Sequence, residues 1–153
     1  MASGITNKGA WHFFNIVLRN GTEPTNYYVV LVTDAVTPNV DHNTLSEFTQ
    51  IPNGNGYTTN GISTNRDSTD WDVMNEDDTD NRVEAQLKNI AWTASGGSMP
   101  ASGTGARWAL LTDDNATPAN RLVLAWFDLG SNRIATVGQV LTLADCELRG
   151  TPA

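Results

Sequence analysis

Three segments of this chain are apolar on both faces of an extended strand, and that restricts its possible folds more than any other feature. Across Tyr27 to Thr33, the side chains of Tyr27, Val29 and Leu31 point one way while Tyr28, Val30 and Val32 point the other. Arg121 to Leu129 repeats the pattern, with Leu122, Leu124 and Trp126 set against Val123, Ala125 and Phe127, and Arg107 to Leu111 does so over a shorter run. A strand without a polar face has to be covered on both sides, so these three are expected to be central strands.

The other segments are read around them. Apolar residues at Ala10, Phe13, Phe14, Val17 and Leu18 follow a Thr6 or Asn7 cap at helical spacing, and Asn20 and Gly21 end the run. This predicts a helix over about residues 7–19. Trp11 and Ile16 widen its apolar stripe, so it should be covered on more than one side, with Phe13, Phe14 and Leu18 assigned to the core. On that assignment Phe14→Ala would cost about 3–5 kcal/mol.

Val83, Ala85 and Leu87 alternate with polar residues until the apolar parity shifts to Ile90 and Trp92, a change that a β-bulge near Lys88 or Asn89 would produce. Shorter strands are expected at Glu47 to Ile51, Trp71 to Met74 and Val140 to Leu143, with a terminal strand over Leu143 to Leu148. Turn signals at Asn53-Gly54, Asn55-Gly56, Asn60-Gly61, Gly96-Gly97 and Gly103 to Gly105 separate them. The fold class is therefore mainly β: an antiparallel β-sandwich or jelly-roll-like domain with one amino-terminal α-helix. One domain should span residues 1–153, with the β part over about 27–149. Leu31 to Asp34 and Leu110 to Asp113, each followed by a Thr-Pro pair, echo one another, and a shared turn geometry accounts for this without duplication.

Charge removes several function classes. The net charge is −8, and the nine Lys and Arg residues are scattered singly, so no stripe is available for successive phosphates and no nucleic-acid partner is expected. The same acidity opposes anionic membranes, and no apolar run approaches the ~20 residues needed to span one. Met1 to Lys8 lacks the pattern of a secretory signal, which makes synthesis in a cytoplasm the expectation. Cys146, the single cysteine, is assigned to packing.

His12 and His42 lie in no catalytic motif, and no Gly-x-Ser-x-Gly elbow is present, so catalysis is not expected. The carboxylates Asp67, Asp70, Asp72, Glu76, Asp77, Asp78 and Asp80 fail calcium-loop spacing, because Val73 and Met74 stand where a third ligand and a Gly are required. They read instead as an acidic hairpin with its tip at Glu76 to Asn81. The Gly-rich segments Gly54 to Gly61 and Ser95 to Gly105 lack the Lys of a phosphate cradle. No catalytic residue, metal or cofactor is thus expected, and the sequence singles out no interface residues. Trp92 and Tyr57 could serve as sugar-stacking platforms of a carbohydrate-binding module, although every Trp also falls on a plausible core-facing position.

Several segments in order carry a resemblance: Thr6-Asn7-Lys8-Gly9, Tyr27 to Asp34, Gly54-Asn55-Gly56-Tyr57, Ile90 to Ala94, Gly105-Ala106-Arg107 and Ala125 to Gly130. Together, over roughly Thr6 to Arg149, the chain resembles a family of small structural proteins of tailed bacteriophages, found among capsid decoration, head-fibre and tail-associated components. The resemblance implies a non-catalytic virion protein, foremost a capsid decoration or cement protein on the capsid surface. Its expected partners are the major capsid protein or another virion structural protein, and further copies of itself in a homo-oligomer. A tail or fibre component, including a receptor-binding module, is the alternative.

Because one cysteine cannot close a disulfide and no ligand set is complete, chelator and reductant should leave the melting temperature unchanged. A drop of about ten degrees with chelator would make the Asp67 to Asp80 segment a structural calcium site.

Overall fold

The computed structural model describes residues 3–150. Ten strands and one helix follow in the order β1 (Ser3–Ile5), α1 (Asn7–Arg19), β2 (Asn26–Val32), β3 (Ile62–Asn65), β4 (Val73–Asp77), β5 (Arg82–Leu87), β6 (Ile90–Thr93), β7 (Ala106–Thr112), β8 (Val123–Arg133), β9 (Val140–Leu143) and β10 (Cys146–Gly150). Five strands form one sheet in the order β1-β8-β7-β2-β3, and every pairing in it is antiparallel. The three doubly apolar segments are thus its inner strands β2, β7 and β8.

Both faces of that sheet are dry. On one face Tyr27, Val29, Leu31, Ala109, Leu111, Ala125 and Phe127 share a buried cluster with Leu87, Ile90, Trp92, Leu141, Leu143, Cys146 and Leu148 of the opposing layer. On the other, Val30, Val32, Trp108, Leu110 and Val123 are covered by Leu45 and Phe48 from the long β2–β3 connection. The fold is a mainly β, antiparallel sandwich with an amino-terminal helix, and the chain crosses from layer to layer after β3, β6 and β8.

The opposing layer explains the parity shift near Lys88. β5 pairs β10 and β6 pairs β9, with Leu87 facing Cys146 and Ile90 facing Leu143. Two residues, Lys88 and Asn89, therefore lie opposite two others, Ala144 and Asp145, and both strands change parity together with the pairing offset unchanged. A bulge would place the extra residue on one strand only. The break is thus a paired kink, not the expected bulge, and Asp145 takes a left-handed conformation in it at φ 54°. Asp70 fastens the kink: its carbonyl accepts from Lys88 N at 2.8 Å, and its carboxylate pairs with Lys88 Nζ and accepts from Asn65 N at 2.6 Å.

A true bulge lies in β8. Leu111 faces Ala125 while Thr112 faces Val123, which leaves Leu124 without a partner on β7. Its carbonyl is free for the amino-terminal segment and accepts from Thr6 N at 3.0 Å.

Other boundaries differ from expectation. Glu47 to Ile51 is not a strand; Leu45–Glu47 is a 3-10 turn closed by a Thr44/Glu47 capping box, and only Gln50 bridges to Val32. Thr44 and Glu47, three residues apart as a capping box requires, favour the capped turn over extension. The expected Trp71 to Met74 strand begins later, at Val73, because Asp67 Oδ1 accepts from Thr69 N and Asp70 N and curls the chain just before it. Leu143 to Leu148 is divided by the paired kink into the end of β9 and the start of β10. The echoed Leu31 to Asp34 and Leu110 to Asp113 segments lie on neighbouring antiparallel strands, so their Asp residues serve different ends of the sheet.

Asp70 carries a pH prediction. Its hydrogen bond to Lys88 holds its carboxyl below the ordinary carboxylate range despite burial. Such a group stabilises the fold fully above its unfolded pKa near 4, and that contribution is lost as pH falls through the lower folded value. Asp70→Asn should cost about 1–3 kcal/mol at pH 7. Denaturant unfolding should show the gap between the two proteins narrowing as pH falls below about 4.

Candidate protein-docking surface

The helix is the element whose sequence and surroundings disagree. Thr6 caps it: its hydroxyl accepts from Gly9 N at 2.8 Å and donates to Val123 O at 2.6 Å. Asn20, left-handed at φ 53°, closes it. The helix approaches β8 so closely at Gly9 that an added Cβ would lie 2.1 Å from the carbonyl oxygen of Leu124. Only glycine fits at that contact, and it decides which way α1 turns. The residues sharing Gly9's side of the helix, His12, Phe13 and Ile16, face inward. Phe13 meets Tyr27 edge to face at 6.5 Å between ring centres, and Tyr27 meets Trp71 at 6.3 Å.

His12 is buried there with Nε2 lacking a hydrogen-bond partner, and burial pushes its pKa down, so the ring sits neutral. The inward side differs from the one the sequence predicts. Phe13 does pack against the core, but Phe14 and Leu18 do not: they are 65% and 75% exposed. Val17 at 77% and Trp11 at 49% join them on the outward side. The correction has a simple cause, since apolar residues lie on both sides of the helix and the close contact at Gly9 selects the inner one. Trp11 is accordingly not a core residue.

The charge of this surface is also distinctive. Within α1, Lys8 and Arg19 are the charged residues and no carboxylate is present. Lys8 Nζ stands 4.3 Å from the centre of the Trp11 ring. In a chain of net charge −8, this exposed apolar side therefore carries two cations and no carboxylate of its own, with Asp41 held at its amino-terminal end by Asn7 Nδ2 at 3.2 Å.

Two further apolar surfaces are present. Met74 and Val83 are exposed on the β4–β5 hairpin, and beside it Tyr27, Arg66, Trp71 and Met74 line an open hollow of about 380 Å³. Ile134 and Val140 are exposed along a groove of about 500 Å³ between the end of β8 and β9, and Val137 is exposed in the connection between them.

The remaining residues singled out from the sequence do not assemble into a reactive site. His12 is in the helix and His42 in the β2–β3 connection, where Nδ1 accepts from Asn39 N at 3.1 Å. Asp67 and Asp77 cap their own turns, and Asp70 pairs with Lys88. Among the described residues, no three His, Cys, Asp or Glu side chains are grouped so as to hold a metal ion. Cys146 is buried, and burial pushes its thiol up to about 12. The two rings considered for sugar stacking are also interior. Trp92 lies in the core, and the Tyr57 hydroxyl accepts from Leu31 N at 3.1 Å and donates to Gln50 Oε1 at 3.1 Å, so neither presents a face to a ligand.

Sequence reading also missed Arg121, which is buried with its guanidinium 3.9 Å from the Tyr28 ring and donating to Asn60 O and Asn115 O. Its place just before a doubly apolar strand gave it the look of an ordinary surface cation. Among the described residues, no helix is long and apolar enough to cross a membrane.

The exposure of Phe14 reverses the stability expected from sequence. Phe14→Ser and Leu18→Ser should each change unfolding free energy by less than about 0.5 kcal/mol. Phe127→Ala, in the closed core, should cost about 3–5 kcal/mol. Urea titration of the three variants separates the two classes.

Comparison with protein-family models, with curated proteins and with solved structures found no match to this chain.

Proposed function

We propose that this chain is a non-catalytic structural protein of a tailed-bacteriophage particle, and specifically a capsid decoration protein that stabilises the assembled head from outside. The observation that carries this reading is the outward side of α1. A helix with apolar residues on two opposite sides leaves one of them in water unless both are covered, and here one side is covered by β8 and Tyr27 while Trp11, Phe14, Val17 and Leu18 are exposed. Covering Phe14, Val17 and Leu18 would contribute at most about 1.5–3 kcal/mol each. That surface suits a molecule that works inside an assembly.

The resemblance of the ordered segments from Thr6 to Ala125–Gly130 to small phage structural proteins supplies the kind of assembly. The interior positions of Trp92, Tyr57 and Cys146, and the engagement of Asp70 with Lys88, leave the best-placed chemical groups occupied in holding the fold. A decoration protein needs no reacting group. It binds the completed lattice and not its separated subunits, and thereby raises lattice stability by mass action. Contacts repeated across an oligomer multiply the effect through effective concentration.

The test is a particle made without this chain. Shells should form normally but rupture at lower temperature than complete particles, and purified protein added back should restore their resistance. Shells of unchanged resistance that fail to adsorb to host cells would move the chain to the tail or its fibres.

A further inference from the structure

We propose that the outward side of α1 is covered by a second copy of this chain, and that it seats on the overhanging face of the β4–β5 hairpin. The proposal rests on the reading that this side of the helix is a docking surface, and it names what docks there.

The hairpin supplies the second half of the contact. Its register sets Met74 opposite Ala85 and Glu76 opposite Val83, so these four side chains share one face of the ribbon. At the Ala85 end this face packs against the core, beside buried Leu87 and Leu148. Beside Ala85 on the edge strand, Met74 is 76% exposed, and toward the turn Val83 is 51% exposed. The same face that serves the interior at Ala85 thus continues into solvent across the edge strand and toward the turn.

Charge selects this surface over the alternatives. Between Asp72 and Asp80 the chain carries five carboxylates and no cation. Arg82 pairs with Asp77 and Asp80, whereas Glu76 and Asp78 are exposed and make no ion pair among the described residues. The helix offers the reverse arrangement, an apolar strip flanked by Lys8 and Arg19 with no carboxylate of its own; the neighbouring acid, Asp41, is engaged at the amino-terminal end by Asn7 Nδ2 at 3.2 Å. At a rise of 1.5 Å per residue these two cations lie about 16 Å apart along the axis, and β4 from Met74 to Asp77 runs about 10 Å before the turn that carries Asp78, so the acidic end of the hairpin reaches one of the two cations while Met74 and Val83 lie over the apolar strip.

Helix against helix is disfavoured, because antiparallel packing would bring Lys8 near Arg19 of the other copy and parallel packing would bring like residues together. The groove along β9 is lined by Arg133 and by no carboxylate, and offers no complement to a cationic helix. A contact between two different patches of the same chain is heterologous: each copy presents both a helix and a hairpin.

Complementation tests the arrangement. One variant carries Phe14→Asp and Leu18→Asp, the other Met74→Lys and Glu76→Lys; all four positions are exposed, and circular dichroism checks that both variants fold. Light scattering after gel filtration should give the unaltered chain a mass that is a multiple of 16.5 kDa and each variant a mass of 16.5 kDa. Mixing the two variants should restore association, because the hairpin variant still has an intact helix and the helix variant an intact hairpin. A monomeric unaltered chain, a hairpin variant that oligomerises as the unaltered chain does, or a mixture that remains monomeric would each overturn the proposal. Adding the unaltered chain back to deficient particles is scored separately, so a monomer that still protects shells would remove the self-contact and keep the decoration role.

Discussion

Hydrogen bonding between β2, β7 and β8 takes place in a layer screened from water on both sides. A backbone amide or carbonyl left unpaired there would cost more than one at the surface, so the pairing must be nearly complete wherever the sheet is dry. The few places where it is not are therefore informative. The bulge at Leu124 releases one carbonyl, and Thr6 takes it up. Beyond Val29, where β3 ends, the outer edge of β2 is served by Ile51 N, which donates to Leu31 O, and by the Tyr57 hydroxyl. Irregular segments that look like connections thus complete the central sheet.

Polar groups hold the smaller layer in the same way. The paired kink is the point where one ribbon must turn while keeping its pairing offset, and the turn withdraws Lys88 and Asn89 from the regular alternation of side chains. Asp70 answers with both its carbonyl and its carboxylate. Because that carboxylate is interior, it is more than a surface charge that happens to lie near a lysine. Arg121 plays a comparable part in the larger layer, where two loop carbonyls and the Tyr28 ring accept its cation.

Strands with strong periodicity were legible in the sequence because burial on two faces leaves a distinctive record: β2, β7 and β8 stand where their side chains require, and β9 coincides with Val140 to Leu143. The helix limits followed from Thr6 and Asn20. β1 and β3 were not legible, since three residues of Ser-Gly-Ile and four of Ile-Ser-Thr-Asn on sheet edges carry no alternation that distinguishes them from loop. The orientation of α1 was misread because two apolar sides compete and hydropathy does not say which is inner. Gly9 was the available signal, for a glycine early in a helix of otherwise ordinary residues marks the line along which backbone meets backbone. Asp70 was hidden by its company, one buried acid among exposed ones in the same acidic stretch.

The anchoring of α1 gives the surface it carries a mechanical character. β1 pairs Ser3, Gly4 and Ile5 with Phe127, Trp126 and Ala125 in antiparallel register, and Thr6 continues onto Leu124 and Val123 without a gap. A pull transmitted through the helix along β8 therefore loads the whole row in shear, where the bonds resist together, instead of peeling them open one after another. The strand that receives the force sits between β1 and β7, so strain passes directly into the five-stranded sheet. A helix tied down in this manner can act as a rivet head, because it bears tension without needing a thick stem.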